Sequence, residues 1–454
     1  MGKIKPSEIH VAYNDELGIV FHAKKGKIKS TTAEHAKIFS DALAEYHNGA
    51  LPYDDCTALE EYMEKSFGIY PSRNYAFEAT DLSNITTLNK LEIMIATDCN
   101  LNCKYCYADG GHYGRKSDVM QPDQAVMYLD KLVKGRYSQV DEVFFFGGEP
   151  TVQPDTIETV CIYFKQLCDE GLLNSLPNYT MVSNGTLIDK KMAHIIASYE
   201  IRVTISIDGP KDVNDKLRIT NEGSGTYEDI INGISNMINA GSSPKMFEAT
   251  YTKLHNDMGY SKSAISSFIK NNIYDSPVLI EDCKATTASV NNDLSFKSES
   301  KVFEEDEEKD AFLESMIYRN IQYDEYYDIS CSAGLSMVTI TPDGQLYPCH
   351  FFIESNDYTL GTVSDFPNNL LKTTSAVRGT RRSEIDKCKD CWALGLCRSC
   401  PAYLLLFDDE ELDESHCEDV KKYTSNVLIK IAKMSEEGTL LSYMENLNTL
   451  LGSQ

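Results

Sequence analysis

The chain has 454 residues, 42% of them hydrophobic, and its 43 Lys+Arg against 69 Asp+Glu give a formal net charge of −26. That length predicts two or three domains rather than one core. The acidity argues against nucleic-acid binding, and no apolar run of about 18 residues offers a membrane span. The opening MGKIKPSEIHVAYNDELG lacks an export-type apolar stretch, and Gly2 lacks the Ser/Thr of a myristoylation site. Fourteen cysteines in metal-like spacings then point to a reducing cytoplasm.

Residues 1–85 read as a small α+β domain. Ile9–Tyr13 and Ile19–Lys24 are strands joined by turn residues at Asn14–Gly18. Ala36, Ile38, Phe39, Leu43 and Tyr46 give Thr31–Tyr46 a helical period that stops at Gly49, and Thr57–Phe67 is a second helix. Residues 86–284 then alternate strand and helix. The strands are Leu91–Thr97, Glu142–Phe146, Tyr179–Ser183, Arg202–Ile207, Met246–Thr252 and Val278–Cys283, with helices such as Gln124–Lys134 and Thr156–Glu170 between them. Six such units predict an α/β fold, a partial (β/α)6 barrel whose chemistry sits where the strands end. Residues 285–330 bridge onward as a Ser/Asn/Thr-rich loop and a charged helix over 304–322. Residues 331–425 hold seven cysteines, and 426–454 complete C-terminal helices that begin near Asp419.

The first barrel strand runs into ATDCNLNCKYCYADGG, Ala96–Gly111, where Cys99, Cys103 and Cys106 stand as C-x3-C-x2-C with Tyr105 between. Three thiolates on one loop can hold three irons of a cubic [4Fe–4S] cluster and leave the fourth open. A zinc knuckle would want a fourth local ligand, and the nearest histidine is His112. Other strand ends carry Gly147–Gly148–Glu149–Pro150, Ser183–Asn184–Gly185, Ser206 and Asp208, with Arg218 ten residues beyond Asp208. The glycines let a backbone approach a ligand closely, Glu149 can accept from a cation, and Arg218 has paired donors for a carboxylate. Each also has a plain reading as a turn or a cap. Their shared place at strand ends favours a site. Thr250 and Thr252 end the fifth strand without an evident role.

The cysteine loop, GGEP and SIDGP-x4-D-x2-R together resemble the signatures of the radical S-adenosylmethionine (SAM) enzymes. The resemblance implies that Cys99, Cys103 and Cys106 hold the catalytic cluster, whose open iron chelates the SAM methionine. It implies that Tyr105 lies near the adenine and that Gly147, Gly148, Glu149 and Pro150 bind the amino group. Arg218 would pair with the carboxylate, and Ser183, Asn184, Ser206 and Asp208 would make further SAM contacts.

The C-terminal block reads Cys331-x17-Cys349, Cys388-x2-Cys391-x5-Cys397-x2-Cys400, then Cys417, with Gly344 five residues before Cys349. This is similar to the seven-cysteine SPASM domain, apart from x2 in place of x3 before Cys400. Paired zinc ribbons are the rival reading. The resemblance implies a second auxiliary cluster on Cys388, Cys391, Cys397 and Cys417 and a first on Cys331, Cys349 and Cys400, making three [4Fe–4S] clusters in all. Cys56, Cys161, Cys168 and Cys283 are left over, the first three as core residues. With no cysteine between Cys283 and Cys331, the first auxiliary cluster is expected to keep an iron open for a substrate thiol.

SPASM proteins of this kind mostly modify ribosomally made peptides. The expected activity is therefore that of a radical SAM peptide maturase, an oxidoreductase forming a Cys-to-carbon thioether as sactipeptide and ranthipeptide maturases do. A Cys-containing precursor peptide would be the substrate and a flavodoxin or ferredoxin the reducing partner. Alternatives are formylglycine-generating sulfatase maturation, carbon–carbon peptide cyclisation and quinohaemoprotein maturation. Outside catalysis, an iron–sulfur electron carrier or a zinc module remains. Residues 1–85 are similar to the leader-peptide recognition domain of such maturases, where the leader adds a strand to a sheet edge; a structural cap is the plainer reading.

Overall fold

The computed structural model describes residues 8–68, 86–134, 136–283, 293–295, 314–315, 317–318, 321, 332–334, 336–353, 355–364, 388–389, 391–397, 402 and 414–452. Most of the expected bridge over 285–330 and the two cysteines Cys331 and Cys400 lie outside these residues. The first elements are β1 (Ile9–Tyr13), β2 (Gly18–His22), β3 (Lys27–Thr31), α1 (Ala33–His47) and α2 (Tyr53–Phe67). Then come β4 (Thr87–Ala96), α3 (Pro122–Leu132), β5 (Gln139–Gly147), α4 (Pro154–Asp169), β6 (Asn178–Ser183), α5 (Lys190–Ser198) and β7 (Arg202–Ser206). They are followed by α6 (Lys211–Leu217), α7 (Tyr227–Asn239), β8 (Met246–Tyr251), α8 (Lys253–Asp257), α9 (Lys262–Asn272) and β9 (Val278–Asp282). The last are β10 (Met337–Ile340), β11 (Gln345–Tyr347), β12 (Gly361–Thr362), α10 (Glu414–Glu437) and α11 (Leu440–Gly452).

These elements form two compact units. In one, β4 to β9 pair in sequence order as a parallel sheet. The sheet does not end at β4. β10 pairs with it in parallel, from Met337↔Lys90 to Ile340↔Ile93, and β11 and β12 follow antiparallel, making nine strands. Cys349 thus lies just beyond a strand of the barrel's own sheet.

Alternation along the strands sorts the two faces. Leu91, Ile93, Ile95, Val143, Phe145, Val203, Ile205 and Phe247 pack into one core with Leu129, Val160, Phe164, Ile196, Ile234 and Ile265 of the helices. The alternate positions carry Lys90, Glu92, Glu142, Phe144, Phe146, Thr180 and Glu248. A parallel sheet covered on both sides reads as continuous apolar runs. Here the inner face holds charge: Lys90 pairs with Glu142 at 3.4 Å and lies over Phe144, Thr180 donates to Glu142, and Ser206 donates to Glu248. An inner face of that kind suits a polar ligand rather than a dry core.

The other unit joins β1–β2–β3, antiparallel, to α1, α2, α10 and α11. β2 is buried along its whole length. Its Val20 faces Leu43, Leu59, Met63 and Phe67 of α1 and α2. Ile19 and Phe21 face Val427, Leu428 and Ile431 of α10, with Trp392 and Leu396 in the same cluster. β3 was not anticipated from the sequence. Among the described residues, no helix is long and apolar enough to cross a membrane.

Candidate functional site

The cysteine loop leaves the end of β4 and is tied down on two sides by backbone. On one side Gly148 N donates to Ala96 O and Glu149 N to Asp98 O, at 2.8 and 3.0 Å. On the other, Asn102 N donates to Ile219 O and Lys104 N to Leu217 O, at 2.8 and 3.0 Å. The loop is therefore sewn to the Gly147–Pro150 turn and to the two neighbours of Arg218. The glycines allow this closeness. A Cβ on Gly148 would stand 2.1 Å from Asp98 O and 2.9 Å from Gly111 Cα, and one on Gly147, whose φ is +141°, 2.3 Å from Ala96 O.

Glu149 is buried between the ends of β5 and β6. Its carboxylate accepts from Thr151 N and Oγ1, from Ser183 Oγ at 2.8 Å and from Asn184 N at 2.7 Å. Burial raises its pKa, and those four donors offset part of the rise. Pro150 opens a short turn behind it. Asn184 faces the cysteine loop: its Nδ2 donates to Asn100 Oδ1 at 2.9 Å and approaches Cys99 Sγ at 3.8 Å.

Asp208 forms the second hub. It is fully buried and accepts from Tyr105 OH at 2.6 Å and from Thr250 N at 3.0 Å, while Arg218 Nε stands 3.2 Å away. The Arg218 guanidinium also lies over the Tyr105 ring, 5.6 Å from its centre. Burial works against the charge on Arg218, but Asp208 together with Tyr105, Cys103 and Glu248 outweighs it and raises its pKa. The sequence reading assigned Tyr105, Asp208 and Arg218 separately; here they are one cluster beneath the loop. Ser206 points instead to Glu248 Oε1 at 2.6 Å.

The loop's donors suit an iron–sulfur cluster. Cys99, Cys103 and Cys106 are each half-buried, and Leu101 N donates toward Cys99 Sγ at 3.4 Å. Burial pushes the Cys99 and Cys103 thiols up to about 12. These groups hold protons at neutral pH, and loading must displace them. Among the described residues no three His, Cys, Asp or Glu converge on a single metal-ion position.

Three participants escaped the sequence reading. Glu92, a lone acid in the apolar strand β4, is buried and accepts from Thr339 Oγ1, His350 N and His350 Nδ1. His350 follows Cys349 directly and packs against Phe146 and Phe351, at 4.7 and 4.3 Å between ring centres. Arg115 binds Tyr347 and Asp343 of the β10–β11 hairpin. Glu92 was visible as a charge out of place in an apolar run; the other two carried no local signal.

Residues 93–257 match the radical SAM superfamily, and residues 331–392 match the SPASM iron–sulfur cluster-binding domain. The chain carries a radical SAM domain and a SPASM domain, the pairing found in radical SAM/SPASM peptide maturases. Members of this family use SAM and a [4Fe–4S] cluster, and the SPASM domain binds further iron–sulfur clusters. The radical SAM cyclopropyl synthase TigE of Paramaledivibacter caminithermalis is 24% identical over 369 residues, 75% of each protein. The structure of anSMEcpe with bound AdoMet and Kp18Cys peptide superposes with a TM-score of 0.54 at 18% identity, over 76% of this chain and 99% of that one. SuiB of Streptococcus suis gives 0.51 at 16% identity, over 89% and 97%. Both share the radical SAM fold.

Proposed function

We propose that this radical SAM enzyme forms a thioether, joining a cysteine sulfur of a ribosomally made precursor peptide to a carbon from which hydrogen has been abstracted. In this reading Cys99, Cys103 and Cys106 hold the SAM-cleaving cluster. Cys331, Cys349 and Cys400 hold one auxiliary cluster, and Cys388, Cys391, Cys397 and Cys417 the other. When bound, the clusters supply the electron that cleaves SAM and take up the electron released as the C–S bond closes. Arg218, oriented by Asp208, faces the SAM carboxylate, and Tyr105 lies along the adenine. The Gly147–Pro150 turn receives the amino group, with Ser183 and Asn184 behind it. A flavodoxin or ferredoxin reduces the enzyme in the cytoplasm, and β1–β3 receive the leader. The peptide in the anSMEcpe structure supports a peptide in this fold's cavity.

The observation that carries the thioether is the position of Cys283. It is buried with Tyr105, Val213 and Leu217, beside Cys103. That packing beside the cysteine loop supports a first auxiliary site of three cysteines with a place for a substrate thiol. The TigE relationship supports a second reading, ring closure between carbons.

Mass spectrometry of a precursor peptide encoded beside the gene separates the readings, after anaerobic turnover with SAM and reductant. Loss of two hydrogens together with the iodoacetamide-reactive thiol is the expected result. The same loss with the thiol intact supports carbon–carbon closure, and replacement of sulfur by oxygen together with loss of two hydrogens supports formylglycine. Reduced protein that makes no 5′-deoxyadenosine from SAM would sink all three.

A further inference from the structure

The cysteines assigned to the second auxiliary cluster belong to the same compact unit as the N-terminal sheet. Cys388, Cys391 and Cys397 share one tight knuckle, in which Cys391 N donates to Cys388 O at 2.9 Å, Leu394 N to Cys391 O at 3.1 Å and Cys397 N to Ala393 O at 2.7 Å. Cys417 lies in α10. Four half-buried thiols from a knuckle and a helix suit a closed cluster.

Trp392, the single tryptophan of the chain, is built into that knuckle. Its ring lies flat on His10 of β1, with ring centres 3.4 Å apart and planes within 4°, and meets Phe21 of β2 edge-on at 6.3 Å. The far side of His10 is held by α10, where Ser425 Oγ is 2.9 Å from Nε2 and in turn donates to Lys421 O. Leu396, at the other end of the knuckle, enters the core made by Ala12, Ile19, Phe21, Val427 and Leu428. The contacts run from the knuckle through Trp392 and His10 to Ser425. They close on the helix that carries Cys417, two turns before Ser425.

We propose that Trp392 is a positioning residue: stacked on His10, it holds the Cys388–Cys397 knuckle in register with Cys417, so that the N-terminal sheet and the second auxiliary iron–sulfur site form and fail together. The inference rests on the cluster assignment proposed above. It has a consequence for peptide binding. Cluster loading braces the sheet that would dock a leader, and deleting residues 1–85 removes the partner of the knuckle along with the docking edge. SAM cleavage does not depend on this site, because Cys99, Cys103 and Cys106 belong to the other unit.

The test compares full-length wild type, His10→Ala, Trp392→Ala and Trp392→Phe after anaerobic reconstitution. Both alanine variants should bind about two thirds of the wild-type iron and sulfide. They should lose one auxiliary EPR signal and keep the signal that responds to SAM. Trp392→Phe, which retains an aromatic face, should restore the iron. A full complement in both alanine variants overturns the proposal. In the converse arm, the double variant Cys391→Ser, Cys417→Ser should raise amide exchange in β1–β3 at least about tenfold; unchanged exchange overturns it. If the alanine variants do not fold, wild type decides. A neighbouring cluster quenches Trp392, so stepwise iron chelation should brighten it in the same step in which β1–β3 lose protection. Brightening with protection intact overturns the coupling. Zinc without sulfide in the wild-type knuckle would instead overturn the cluster assignment, and the inference with it.

Discussion

Arg115 Nη1 donates to the phenol oxygen of Tyr347 at 2.7 Å, joining the segment just after the cysteine loop to the strand that leads into Cys349. The same guanidinium reaches Asp343 at 2.5 Å in the hairpin turn and Ile353 O at 3.4 Å beyond it. One side chain thus holds the flank of the cysteine loop against the hairpin that leads to Cys349. Arg115→Ala should cost about 1–3 kcal/mol in denaturant unfolding, since charge-assisted bonds to a half-buried donor are lost. Arg115→Lys should recover only part, because an ammonium cannot span Tyr347 and Asp343 with a fixed fork. Equal stability of all three proteins would show that the hairpin is held by strand pairing alone.

Gly148→Ala should disable the SAM-cluster loop while leaving the fold. The new Cβ would meet backbone on both sides, Asp98 O at 2.1 Å and Gly111 Cα at 2.9 Å, so the GGEP turn and the loop must part. The expected readout is loss of SAM-dependent spectral change and of about a third of the iron. Gly171→Ala is the control. Its Cβ meets nothing within 4 Å, and the strain of its positive φ should cost only about 1–3 kcal/mol. Normal SAM binding by Gly148→Ala would mean that the loop tolerates separation from the turn.

Legibility from sequence followed distance along the chain. The six barrel strands were visible because each is a short apolar or alternating run followed by helical periodicity, as in Val143–Phe146 before Pro154–Asp169. The cysteine loop and strand-end polar groups were visible because their spacing is local. β10 was not, since Met337–Ile340 takes its parallel partner from Lys90–Ile93 far upstream, and nothing within four residues specifies that choice. The links Arg115–Tyr347 and Glu92–His350 span 232 and 258 residues and leave no pattern at either end. β3 was missed because Lys27–Thr31 is polar, and its pairing with β2 depends on a buried central strand that the run itself does not reveal. His10 and Trp392 lie far apart in the chain and are stacked only by folding.

Asp208→Ala should be among the most damaging changes in the barrel. It leaves Arg218 buried without its counter-charge and removes the acceptor of Tyr105 and the cap on Thr250 N. Uncompensated buried charge costs about 3–5 kcal/mol. Tyr105→Phe removes one bond to a charged acceptor and should cost about 1.5–3 kcal/mol. Both should weaken SAM binding measured by calorimetry on reconstituted protein, Asp208→Ala the more. A Tyr105→Phe protein with unaltered stability would mean that the phenol's bond to Asp208 adds nothing over solvent.

The last prediction concerns acid. His22 is fully buried at the end of β2, with Nδ1 accepting from Lys25 N at 3.3 Å and its ring edge-on to Phe67 at 5.4 Å. Burial lowers its pKa from 6.5 to about 4; Lys25 and Lys24 push the same way, and Glu8, 3.7 Å from Nε2, pushes back. In the unfolded chain the imidazole takes a proton near pH 6.5, while the folded one stays neutral until about pH 4. Between those values the unfolded state binds the extra proton, so stability is complete above the upper value and falls as pH drops towards the lower. One such proton gives a slope of up to about 1.4 kcal/mol per pH unit. His22→Asn keeps a side-chain acceptor for Lys25 N but cannot titrate, and Asn is a good cap. Its unfolding free energy, followed through Trp392 fluorescence because that ring packs in the same unit, should decline less steeply over this window than wild type, by about one proton's worth. Parallel wild-type and His22→Asn curves from pH 6.5 to 4 would show that His22 takes up its proton without unfolding the sheet.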